Sequence, residues 1–141
     1  PGFAYHVRAK VPAVLGLMRY ALPKGMLRMN LAPAYGDPAR IEDATLTRYH
    51  DLMRAPGVRT AMLARLDQTI LEPPEPWLGK IAAPTLLLWG ELDAMIPIAN
   101  AQDYLSAIPN VALVSLPGLG HVPFEEAPAP ALAPVVAFLS R

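Results

Sequence analysis

Two apolar runs, "PTLLLWG" at 84–90 and "VALVSLPG" at 111–118, constrain the fold more than anything else in the chain. Both are continuously hydrophobic rather than alternating, the pattern of strands covered on both faces. Between them "PIANAQDYLSAIPN" reads as a helix of about three turns, closed by Pro109 and Asn110. Beyond them "APALAPVVAFLSR" predicts a terminal helix with Leu132, Val135, Val136 and Leu139 as its apolar residues. Strand, helix, strand, helix is a βαβ unit with a parallel pair. Two parallel strands alone bury neither their faces nor their outer edges. The expectation is therefore an α/β fold whose two strands complete a larger sheet.

The first 80 residues read differently, as helices broken by proline and glycine. Val7, Val11, Val14, Leu15 and Met18 recur at helical spacing over 4–22, with Pro12 inside the run. "KGMLRMNLA" predicts a further short helix. Asp37–Pro38 suits an N-cap followed by proline at the first helical position. Leu46, Tyr49, Leu52 and Met53 then make a stripe that "APG" at 55–57 stops. "VRTAMLARLDQTI" carries Val58, Met62, Leu66 and Ile70, and "EPPEP" at 72–76 is a stiff connector. The expected organisation is a helical region at 1–80 and an α/β region at 81–141.

Composition agrees with that incompleteness. Hydrophobic residues make up 53% and charged residues only 17%, an apolar excess that fits a piece of a larger core. "VPAVLGLM", between Lys10 and Arg19, is too short to span a bilayer and lacks a convincing cleavage site, so neither membrane span nor signal peptide is expected. Formal net charge is zero, which gives no electrostatic reason to expect nucleic acid as a partner. With no cysteine and three scattered histidines, no metal or cofactor is expected. A cytoplasmic location is favoured, with no motif that fixes it.

Chemistry gathers at the carboxyl ends of the two strands, where open α/β sheets build their sites. "WGELDAMIP" places Asp93 just past the first strand, and "PGLGHVPFEEAP" places His121 just past the second. An aspartate that accepts an imidazole N–H fixes the tautomer and stabilises the cation formed in proton transfer. For His6 and His50 surface or cap packing is the default reading, and Glu91 reads as a solvated carboxylate. Glu125 and Glu126 read as structural caps or pairs near the last helix. Trp89 reads as core.

These residues resemble the C-terminal end of the α/β-hydrolase fold. In that family a strand is followed by glycine, two residues and the triad aspartate. The last strand is followed by Gly-His, with proline, glutamate and proline at set places behind. Gly120, His121, Pro123, Glu126 and Pro128 match those places. The resemblance implies that Asp93 is the triad acid, that His121 is the base, and that residues 1–80 are a helical cap. Family order is nucleophile, acid, base, so a G-x-S-x-G elbow should precede the cap. No such motif occurs, and Ser106, Ser115 and Ser140 lack flanking glycines. The nucleophile and the oxyanion loop are therefore expected in a complementary N-terminal segment, with this chain inactive alone.

The leading expectation is a hydrolase of small apolar esters that uses a Ser-His-Asp triad. One alternative keeps the fold but supplies an aspartate nucleophile, as in epoxide hydrolases and dehalogenases; Tyr35, in "AYGDP", would then be a candidate to polarise an epoxide oxygen. Another is a non-catalytic binding module, should this chain be the whole protein.

Overall fold

A computed structural model describes residues 23–68 and 73–140. The expected helix at 4–22 lies outside them. Among the described residues, 23–30 and 42–68 form one compact unit, and 31–41 with 73–140 form a second. The stretch 31–41, read as part of the helical region, thus groups with the strands.

The first unit is helical. Helix α1 spans Lys24–Leu31, α2 Asp43–Arg54 and α3 Val58–Gln68. Among its described residues, Leu27 and Leu46 are the buried apolar side chains. Arg28 donates to the Asp43 carboxylate at 3.1 Å and Lys24 to Thr47 at 3.0 Å; both bonds are exposed. Exposed pairs of this kind contribute little, on the order of 0–1 kcal/mol.

One expectation needs correcting. Asp37 does cap, accepting from the Ala39 amide at 3.0 Å, but what it caps is the 3₁₀ turn Pro38–Arg40. Ile41 then takes an extended conformation and is almost fully buried, so the chain leaves helical geometry before α2 begins. Burial of one large apolar side chain outweighs continuing a helix through it.

In the second unit a one-turn helix α4, Glu75–Leu78, leads to β1, Thr85–Gly90. The 3₁₀ turn Ile98–Asn100 and helix α5, Ala101–Ala107, return the chain to β2, Val111–Leu116. Together they make about three turns, as expected; Pro97 precedes them and Ile108, buried and extended, ends them. The strands pair in parallel, from Thr85 opposite Val111 to Gly90 opposite Leu116. A short helix α6, Pro123–Glu126, precedes α7, Pro128–Leu139, and both begin on proline, which is preorganised for a first helical position.

Leu116, Leu119 and Ala131 form the local core, with Leu88, Val114 and Ala127 against them. Most strand side chains are only half-buried. On α7, Leu132, Val136 and Leu139 are exposed. Continuously apolar strands thus stand with their faces incompletely covered among the described residues. No helix there is long and apolar enough to cross a membrane.

Candidate active site

Parallel register brings the two strand ends level, with Gly90 beside Leu116, so both following loops leave from the same edge. The loops are stitched together directly. Glu91 N–H donates to Leu116 O at 3.1 Å and Leu92 N–H to Leu119 O at 2.9 Å. Gly118 turns the second loop with φ +72, a left-handed conformation that glycine adopts without a side-chain clash.

Asp93 is the one buried charged residue among those described. Its Oδ1 accepts from the amides of Met95 at 2.9 Å and Ile96 at 2.8 Å, which closes the loop on itself. Its Oδ2 lies 2.8 Å from Nδ1 of His121. A carboxylate accepts, so Nδ1–H donates, and Nε2 is the nitrogen left to exchange a proton with a reacting group. Asp93 is 6% exposed at the side chain and His121 35%. One partner is fixed and dry; the other is reachable. A shallow cavity of about 200 Å³ adjoins the pair, lined among others by Trp89, Gly90, Ile96, Gly120 and Pro123. Trp89 donates its indole N–H to Ile96 O at 2.8 Å and packs at a tilt on Tyr104, which braces the first loop.

The histidine loop is seated on residues 34–36. The amides of His121 and Val122 both donate to Ala34 O, at 2.8 and 3.3 Å. Gly36 N–H donates to Glu126 Oε2 at 2.8 Å, and Gly120 N–H to Glu126 Oε1 at 2.6 Å. Tyr35 is buried and its hydroxyl donates to Glu125 Oε2 at 2.9 Å. Gly120 permits this approach, since a Cβ there would come 2.7 Å from Ala34 O. Of residues 34–36 the sequence singled out only Tyr35, as a candidate substrate contact and not as part of a seat for the histidine loop; the signal for the seat was Gly36 in "AYG" and Gly120 in "GLGH".

The serines are engaged elsewhere. Ser106 and Ser140 donate to helix carbonyls of Gln102 and Val136, and Ser115 donates to Glu91 at 2.9 Å. Glu91, read as solvated, is exposed and also accepts that bond. His50 Nδ1 lies 3.4 Å from Oδ1 of its neighbour Asp51. Among the described residues no group of three His, Cys, Asp or Glu is placed to hold a metal.

Comparison with known proteins decides the family. Residues 10–128 match the family described as the alpha/beta hydrolase fold. The chain belongs to that family. It is 29% identical over 116 residues to the uncharacterized hydrolase YugF of Bacillus subtilis (strain 168), covering 81% of this chain and 41% of that protein. A serine hydrolase involved in carbazole degradation (CarC enzyme) superposes with TM-score 0.76 at 23% identity, over 86% of this chain and 49% of its own. A thermophilic esterase superposes with TM-score 0.68 at 23% identity, over 92% and 50%. The α/β-hydrolase chain thus spans about half the length of these relatives or less, and its architecture is a partial α/β-hydrolase fold.

Proposed function

We propose that this chain supplies the acid and base of a hydrolase that cleaves carboxylic esters of apolar substrates through a Ser-His-Asp triad. Hydrolase membership follows from the family and from its curated relative. The single observation that carries the finer reading is the 2.8 Å bond between buried Asp93 and reachable His121.

In this mechanism His121 Nε2 removes the proton from a serine hydroxyl as the oxygen attacks the ester carbonyl. Asp93 holds the ring and stabilises the imidazolium that results. The tetrahedral oxyanion is held by backbone N–H groups. Collapse expels the alcohol, which takes the proton from His121, and leaves an acyl-serine. Water, activated by the same imidazole, then releases the acid and restores the enzyme.

Serine and oxyanion donors lie, on this reading, in a segment that complements the present chain, and the helical region at 1–80, apart from 31–41 and the residues from 73 onward that group with the strands, acts as a cap that sets substrate size. Exposed Leu92, Met95 and Ile96 in the loop after β1, and exposed Phe124 on α6, support an apolar substrate.

A serine-directed fluorophosphonate tests the nucleophile in the full-length protein. Labelling of one serine in a Gly-x-Ser-x-Gly segment is the expected result. Hydrolysis of p-nitrophenyl butyrate without any labelling contradicts the serine and favours an aspartate.

A further inference from the structure

Asp93 and Glu126 both hold His121, but they hold different parts of it. Asp93 takes the ring. Glu126 takes the backbone, with one oxygen on the amide of Gly120, immediately before His121, and the other on Gly36. The imidazole itself is 35% exposed, so packing covers only part of it. Its orientation rests on Asp93 and on the course of the chain at Gly120–Val122. That course is pinned by Ala34 O, which receives both His121 and Val122 N–H, and by Glu126.

We propose that Glu126 is a positioning residue for the Asp93–His121 pair. It touches no substrate. By tying Gly120 to Gly36 it keeps the histidine loop on residues 34–36, and so keeps Nδ1 within reach of Asp93. A carboxylate suits this task because it accepts from two separate N–H groups at once, with charge-assisted strength. A glutamine of the same shape does not: its NH₂ would face one of the two amides, donor against donor, and that tie must open. The proposal rests on the triad reading above.

The test uses the full-length protein and p-nitrophenyl butyrate, with His121→Ala and Glu126→Gln measured side by side. His121→Ala should lose nearly all turnover. Glu126→Gln should lose about 10- to 100-fold in kcat with KM within about twofold, as a displaced base lowers rate more than binding. A kcat within about twofold of wild type in Glu126→Gln, beside an inactive His121→Ala, overturns the role of Glu126 and leaves the triad standing. Turnover retained in His121→Ala overturns the triad reading, and the proposal with it. If Glu126→Gln does not fold, hydrogen exchange in the wild-type protein decides. Slow exchange at both the Gly36 and Gly120 amides is expected, and an unprotected amide at either contradicts the tie.

Discussion

The loop after β1 and the loop after β2 each deliver one member of the candidate pair, and they do so by opposite means. The first is closed mainly by its own residues, although its Glu91 and Leu92 amides donate to Leu116 and Leu119. Asp93 closes it by accepting from Met95 and Ile96, two and three positions ahead, and Trp89 braces it from the strand end. The second depends on sequence far away: Ala34 and Gly36 receive it, and Glu126 ties it down. A local turn can form wherever its residues occur. A seated loop exists only when its seat has folded, so the base is more vulnerable than the acid to changes remote from it.

That contrast can be broken at graded points. The largest effect should come from Asp93→Asn. Its remaining carbonyl oxygen can still accept from Met95 and Ile96, so the loop should survive while the ring tautomer is lost. A fall of about 10⁴ in kcat is expected with Tm little changed, by analogy with the same change in other triads. A drop in Tm of more than a few degrees would mean that the first loop also needs the charge.

Gly120→Ala comes next. A Cβ there meets Ala34 O and the Tyr35 carbonyl carbon, both at 2.7 Å, and backbone yields reluctantly. The loop should lift from its seat, with a stability loss of about 1–3 kcal/mol by chemical denaturation and about a 100-fold loss of kcat. Wild-type kinetics would show that the seat is dispensable.

The smallest effect should come from Tyr35→Phe. This removes one part-buried hydroxyl bond to Glu125, worth about 1 kcal/mol, and should leave ester turnover within about twofold. Loss of epoxide opening in this variant would instead favour the reading in which Tyr35 polarises a substrate oxygen.

The same contrast explains what could be read in advance. Both strands, the helix between them and the last helix were legible because apolar runs and helical spacing report burial directly. Asp93 and His121 were legible by their places past the two strands. What stayed hidden was non-local. Nothing near Asp37 says that Ile41 will be drawn into the second unit and interrupt the helix. Nothing near Glu126 says that its partner is Gly36, because a carboxylate written beside a helix start looks like any capping residue until the chain folds back.

On the proposed mechanism Asp93 and His121 act as one device. The most direct measurement is kcat/KM for Asp93→Asn, His121→Ala and the double variant in the full-length protein, with p-nitrophenyl butyrate as substrate. Residues that act as a unit lose their effects together rather than in sum. The double variant should be no slower than His121→Ala alone, within about twofold. A double variant slower than His121→Ala by the full factor that Asp93→Asn produces alone would contradict the pairing.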